Sequence, residues 1–287
     1  MIPLFASITH NAFIYYIGRF PVTGFGLAVL LAFVIAQVIA QHELWRRGYD
    51  PAPIADLIYA AVFGGLVGAK VYFAVLMGDI GALWSRAGFV FWGGLMGGIV
   101  AVLAVAYFKR LNLARICDVG GISVAAAYSI GRTGCWAVGD DYGRPWNGAL
   151  AVKFPNGAPP STVENMARLF HIHFPPGTNP YEVVSVYPTQ LFEVTLGFIM
   201  FLILWRLRDH KHAEGWLFGM YCVLAGVERF IIEFFRAKDD RFFGPFTSAQ
   251  MIAAIFVLVG AAIMVARWNV TERARGIYAP DRAPVTG

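Results

Sequence analysis

Arg229, Glu233 and Arg236 fall at i, i+4 and i+7, so a helix carries all three on one face. A carboxylate between two guanidiniums orients both and leaves donors over. Free guanidinium donors held out of water can bind a phosphate bidentately. The same spacing also makes a structural ion-pair ladder, and alone it does not choose between the two. Arg132 lies in Gly131-Arg132-Thr133-Gly134-Cys135, and Asp140, Asp141, Tyr142, Gly143 and Arg144 follow shortly. Tyr187-Pro188-Thr189-Gln190-Leu191-Phe192-Glu193 places Gln190 and Glu193 on one face of a helix opened by Pro188. Phe91-Trp92-Gly93-Gly94 puts bare backbone where a ligand can approach. These segments read as one site for an anionic amphiphile.

Metal and thiol chemistry find no comparable pattern. The three cysteines, Cys117, Cys135 and Cys222, include no CxxC pair, which excludes a disulfide framework or thiolate zinc site as an expectation. His171/His173 and His210/His212 lack a nearby third ligand and read as loop histidines. No metal site is expected from these residues.

The elements that hold these residues are membrane spans. Of the 287 residues 58% are hydrophobic and 14% charged, against about 25% charged in soluble domains. Mean hydropathy is +0.59. The net charge of +5 lies mainly between apolar runs, as topology signals do, and no basic patch with interleaved aromatics points to nucleic acid. About seven runs approach the ~20 residues a helix needs to cross the hydrocarbon core. They are roughly 22–41, 54–77, 88–108, 117–138, 189–207, 214–236 and 246–268. The expected architecture is an all-α polytopic membrane protein.

Arg46 and Arg47, then Lys109, Arg110 and Arg115, then Arg206, Arg208 and Lys211, then Arg267, Arg273 and Arg275 follow alternate spans. That side is the expected cytoplasmic one, with the N-terminus outside and the C-terminus inside. The loop after span two has only Arg86, which suits the outer side. The first residues lack a basic n-region, so no cleavable signal peptide is expected. The connection 139–188 is too long for a turn and is expected to form a small extracytoplasmic head, with a short strand at 149–154 and a short helix at 162–170. The tail 269–287 is polar and expected to fray. Gly64/Gly68 and the interleaved Gly93/Gly97 and Gly94/Gly98 are GxxxG pairs, which let helices approach closely in lipid.

A charge at the bilayer centre costs about 2.5–3.5 kcal/mol on insertion scales. Lys70, Arg132, Glu193, Glu228, Arg229, Glu233 and Arg236 all lie in or at the ends of spans. They should face the bundle interior in pairs, with Lys70 and Glu228 structural and the others forming the site.

The segments resemble the prolipoprotein diacylglyceryl transferase family of bacterial inner membranes. Its Gly-Arg-x-Gly-Asn signature, which ends in a glycine, is similar to Gly131 through Gly143. Its His-Pro-Ser-Gln-Leu-Tyr-Glu is similar to Tyr187–Glu193, its Arg-x-x-x-Glu-x-x-Arg matches Arg229, Glu233 and Arg236, and its His-Gly-Gly-Leu resembles Trp92-Gly93-Gly94-Leu95. Trp92 stands where the family has a histidine proposed as base, Phe25 for a tyrosine, Cys135 for the asparagine and Asp140 for a glutamate.

The resemblance implies transfer of a diacylglyceryl group from phosphatidylglycerol to the lipobox cysteine of a preprolipoprotein, with glycerol phosphate leaving and no metal or organic cofactor. It implies Arg132, Arg229, Glu233 and Asp140 as catalytic residues. Trp92, Gly93, Gly94, Gly143, Gln190, Glu193 and Arg236 are implied as substrate-binding. A paralogue acting on another lipid or acceptor, and a non-catalytic lipid-binding or transport protein, are the alternatives.

Overall fold

The computed structural model describes residues 8–85, 88–237, 241–243 and 246–269. In chain order the elements are β1 (Ile8–Thr9), β2 (Ile14–Ile17), β3 (Phe20–Thr23), α1 (Gly24–Arg46) and α2 (Pro53–Met77). A 3-10 turn at Ile80–Trp84 precedes α3 (Phe91–Phe108) and α4 (Leu113–Val138). Then come β4 (Val152–Lys153), α5 (Val163–Phe170), β5 (Ser185–Val186), α6 (Thr189–Leu207) and α7 (Trp216–Ile232). The chain closes with β6 (Arg241–Phe243), β7 (Phe246–Thr247) and α8 (Ser248–Ala266). Arg86, Arg273, Arg275 and the tail from 270 onward lie outside the described residues.

Among the described residues, six helices are long and apolar enough to cross a membrane: α1, α2, α3, α4, α6 and α8. Their outer faces present Leu30, Phe63, Val75, Val100, Phe198 and Leu258, residues a water-soluble protein does not leave exposed in such numbers. The chain is a helical multi-pass membrane protein. The expected sixth span, 214–236, is shorter in the structure. With 17 residues, α7 extends about 26 Å at 1.5 Å per residue.

Lipid offers helices no hydrophobic reason to associate, so close backbone approach must do it. Ala28, Ala32, Ala36 and Ala40 recur every fourth residue on α1 and are buried. On the facing α4, a Cβ at Gly134 would sit 2.8 Å from Ala28 Cβ. Between α2 and α3, Gly64, Gly68, Gly93 and Gly97 interlock so tightly that a Cβ at Gly68 would lie 2.8 Å from Gly97 Cα. Gly219, Gly226 and Gly260 do the same for α7 and α8, where a Cβ at Gly226 would meet the Ala253 carbonyl at 2.6 Å.

The basic connections expected on one side do meet at one end of the bundle. Glu43, at the end of α1, takes Arg46 (2.9 Å), Arg208 (3.3 Å) and Arg47 (3.7 Å). Arg115 pairs with Glu214 at 2.7 Å, and Lys109 with Asp56 at 2.6 Å. Asp118 on α4 accepts from the backbone N–H groups of Gly215 and Phe218 at 2.7 and 2.8 Å. It thereby satisfies amides at the start of α7 that helical bonding leaves unpaired. His210 and His212 stack with Trp216 at this end, and burial pushes the His210 ring down to about 4.

At the opposite end, 139–188 forms a small mixed unit. Its strand is shorter than the 149–154 expected: β4 pairs parallel to β1 (Ile8 opposite Val152) and antiparallel to β5 (Val152 opposite Val186). The expected helix is α5, with Thr162 as its N-cap, the Oγ1 accepting from Asn165 N at 3.3 Å. Tyr142, Val152, Phe154, Met166 and Val186 form the unit's core, joined by Ala237 from beyond α7.

Candidate active site

The site forms where α4, α6 and α7 reach the head. Arg132, two turns before the end of α4, has its guanidinium shared between two carboxylates. Nη1 donates to Asp141 at 2.8 Å, and Nη2 lies 3.0 Å from Glu193. Arg229 on α7 has Nη2 2.7 Å from Glu233 Oε2, in a contact that is electrostatic more than directional, since that oxygen lacks a well-aligned hydrogen bond. Its Nη1 is 3.9 Å from Glu193 and, although buried, has no hydrogen-bond partner among the described residues. Arg236 donates to Asp141 at 3.0 Å and stands 3.9 Å from Glu233. Three guanidiniums therefore alternate with Glu193, Glu233 and Asp141. Glu193 and Glu233 are each about 1% exposed, so their charges are tolerable only because arginines surround them.

The start of α6 fixes the segment that follows α4. Thr189 Oγ1 donates to the Asp141 carbonyl at 2.7 Å, and the fully buried Gln190 donates its Nε2 to the Asp140 carbonyl. Gly143 donates its N–H to the Tyr187 carbonyl at 2.9 Å. The chain is threaded so closely there that a Cβ at 143 would collide with the Phe235 carbonyl and lie 2.7 Å from Tyr187 Cβ. Glycine is needed at 143 for that approach, and Asp141 is held at φ +55° by the same bonds. Tyr187, where the family has histidine, stacks on Trp146 with ring centroids 4.4 Å apart.

Asp140 and Asp141 are adjacent and electrostatically opposite. Burial, and then the charge of Asp141, push the Asp140 carboxyl up to about 6, and its Oδ1 is buried without a partner. Burial acts on Asp141 too, but Arg236 and Arg132 outweigh it and hold its carboxyl below the usual range. Cys135, Asp140 and Asp141 bring potential metal-ligand atoms within 4.8 Å of one another. Arg132 already serves that group, with Nη1 2.8 Å from Asp141 and 3.6 Å from Cys135 Sγ. A guanidinium stands where a bound cation would be repelled by it.

The sequence-derived residues divide here. Arg132, Arg229, Glu233, Arg236 and Glu193 form one cluster, with Asp140, Gln190 and Gly143 in the segments that frame it. Gly93 and Gly94, expected along a lipid path, face α2: a Cβ at Gly94 would lie 3.3 Å from the Gly65 carbonyl, and Gly93 packs on Tyr72. Trp92 is half-exposed on the first turn of α3 against Phe91, with no hydrogen bond or ring contact to the cluster among the described residues. Lys70 bonds to Ser85 and lies over the Phe89 ring at 4.8 Å.

Three participants went unassigned. Asp141 is the bridge between Arg132 and Arg236. Tyr128 lies beneath Arg132, and its hydroxyl reaches Glu228 at 3.0 Å and Glu193 at 3.4 Å. Glu228 therefore belongs to the cluster and not to the structural remainder. The i, i+4 relation of Tyr128 to Arg132 was the available signal.

The fold is that of a multi-pass membrane protein, and three partly buried arginines are gathered around two buried glutamates and Asp141 at one end of it. Residues 12–266 match the prolipoprotein diacylglyceryl transferase family model, and the chain belongs to that family, as a transferase of lipoprotein biosynthesis. It is similar to the phosphatidylglycerol–prolipoprotein diacylglyceryl transferase of Clostridium tetani, with 25% identity covering 83% of this chain and 90% of the relative. The corresponding figures for the Streptococcus pyogenes enzyme are 28%, 91% and 95%, and for that of Geobacter sulfurreducens 26%, 93% and 96%.

Proposed function

We propose that this chain transfers the diacylglyceryl group of phosphatidylglycerol to the lipobox cysteine thiol of preprolipoproteins, releasing glycerol phosphate. The observation that carries the reading is Arg229 Nη1, a buried guanidinium donor without a partner, beside Arg132 and behind Glu193. A phosphodiester placed between Arg132 and Arg229 supplies that missing acceptor. The leaving group is a phosphate ester anion, and donors fixed where its charge develops stabilise the transition state. Glu233 holds Arg229 in place, and Arg236 and Asp141 brace the outer side. Glu193 and Asp140, each with a buried oxygen that has no hydrogen-bond partner among the described residues, are the proposed acceptors of the thiol proton.

The topology that suits this chemistry has seven spans, α7 included, in a bacterial inner membrane. The unit at 139–188 is outside with the N-terminus, and the basic end and C-terminus are cytoplasmic. Lipid arrives from the bilayer and the preprolipoprotein from the outer leaflet, with no cofactor. Expression in cells depleted of their own transferase, with lipoprotein mass as readout, tests the reading. Diacylglyceryl adducts support it, and their absence with wild-type protein present in the membrane overturns it. A paralogue using another lipid is favoured only by Trp92 and Phe25, and adducts formed from other headgroups would identify it.

A further inference from the structure

We infer that Glu193, Tyr128 and Glu228 form a buried proton-accepting chain that takes the acceptor thiol's proton, and that binding of the lipid phosphate switches it on. The inference rests on the transferase reading and extends it to residues that reading leaves without a role.

The cluster's charges set the argument. Arg132, Arg229 and Arg236 are balanced by Glu193, Glu233 and Asp141. Glu228 is a further carboxyl, buried on α7, and its hydrogen bond is to the Tyr128 hydroxyl at 3.0 Å. The same hydroxyl is 3.4 Å from Glu193 Oε1, so one phenol links two acids from different helices. Glu193 Oε2 is buried and unpartnered. The groups facing this pair are Tyr128 and Arg132 from α4, Glu193 from α6, and Arg229 and Tyr221 from α7, with Asp141 and Arg236 beyond Glu193. The α8 segment, packed on the other side of α7, contributes no titratable side chain.

A phosphodiester between the arginines competes with Glu193 for Arg132 Nη2 and Arg229 Nη1. Stripped of these partners, Glu193 becomes an uncompensated buried charge, and accepting a proton removes that cost. The thiol S–H bond breaks and its proton passes to Glu193. The sulfur pair forms the S–C bond at the glyceryl carbon, and the C–O bond to phosphate breaks with its pair leaving on oxygen. Once the glycerol phosphate has left, Tyr128 accepts the proton from Glu193 while passing its own to Glu228, so Glu193 is again the carboxylate that faces Arg132 and Arg229 for the next cycle. The acid beside Asp140 is Asp141, which is held as a carboxylate by Arg132 and Arg236 and is not linked to it by a phenol.

The test uses full-length protein in phosphatidylglycerol-containing nanodiscs with a lipobox peptide, and thioether product is measured by mass spectrometry. Glu228→Gln and Tyr128→Phe should each transfer about 10²-fold more slowly at neutral pH, the scale of a positioned proton-transfer group. The deficit should close as pH passes the thiol's own ionisation at about 8.5, where thiolate no longer has to be made. The KM for phosphatidylglycerol should not move. A selenocysteine peptide, already ionised at neutral pH, should be used equally by wild type and variants. Tyr128→Phe keeps the ring beneath Arg132 and carries the test if Glu228→Gln does not accumulate. A deficit of equal size at every pH, or a pH-dependent deficit in Asp140→Asn instead, overturns the chain. Failure of the transferase reading is distinct, because wild-type protein itself would then form no product.

Discussion

The two ends of the bundle both gather arginines around buried carboxylates, and they differ in what they leave unsatisfied. At the basic end, Glu43 has three arginines within 4 Å and Asp118 uses both oxygens on the backbone of α7. Glu43 and Asp118 are saturated, and the surplus is in donors: Arg47 Nε, an ion-pair contact of Glu43 at 3.7 Å, and Nη2 make no hydrogen bond among the described residues. At the head end the surplus is mixed. Glu193 Oε2, Asp140 Oδ1 and Arg229 Nη1 are all buried without hydrogen-bond partners among the described residues. Saturated carboxylates bind helices together. A cluster with both donors and acceptors left over is incomplete without something that brings both kinds of group. An anionic lipid and a thiol are such a pair.

The contrast breaks most visibly through charge deletion. Glu43→Ala should cost about 3–5 kcal/mol by leaving arginines without their counter-charge, seen as a lower Tm in detergent, with kcat per folded molecule unchanged. Arg132→Ala and Arg229→Ala should do the reverse, lowering transfer about 10²–10³-fold, equivalent to about 2.7–4 kcal/mol, in protein that still folds. Full activity in both would reduce the head-end cluster to another structural one. Gly143→Ala should lower both transfer and Tm by a smaller step, about 1–3 kcal/mol for an overpacked site, because the intruding methyl meets the Phe235 carbonyl.

Asp140→Asn is the smallest and sharpens the comparison most. The raised Asp140 pKa means the folded protein holds a proton that the unfolded chain has lost between about pH 4 and 6, so stability falls with rising pH across that window. Asparagine removes this, and the variant should gain about 1–2 kcal/mol above pH 6 and nothing below pH 4, read from Tm against pH. A head-end residue whose removal stabilises would be functional and not structural.

Six of the seven expected spans and the short strand and helix within 139–188 were legible because hydropathy and local propensity are local properties. The helical face expected for Arg229, Glu233 and Arg236 was not: α7 ends at Ile232, Glu233 is its C-cap, and Arg236 lies past it, bridged to Gly143, and it is the shared carboxylates that keep the three together. Thr162 announced α5 through its capping chemistry. What was not legible is which glycines met what. Gly93 and Gly94 look the same in sequence whether they face lipid or another helix, and only the pairing with Gly65, Gly68 and Tyr72 decides it. Glu228 is one residue from Arg229, and neighbours on a helix point about 100° apart, so it read as belonging elsewhere. Its partners, Tyr128 and Glu193, are 100 and 35 positions away, and only the packing of α4, α6 and α7 unites them.

The shortness of α7 has a bearing on the bilayer itself. A helix of about 26 Å in a hydrocarbon layer of about 30 Å is mismatched by several ångström. Its last turn carries Arg229, and Glu233 and Arg236 follow at once, so the shortfall falls on the charged end. Thinning the membrane locally costs fractions of a kcal/mol per ångström and brings the headgroups down toward the arginines. On the proposed topology and transferase reading, turnover in bilayers of graded acyl length should therefore be highest in the thinner ones.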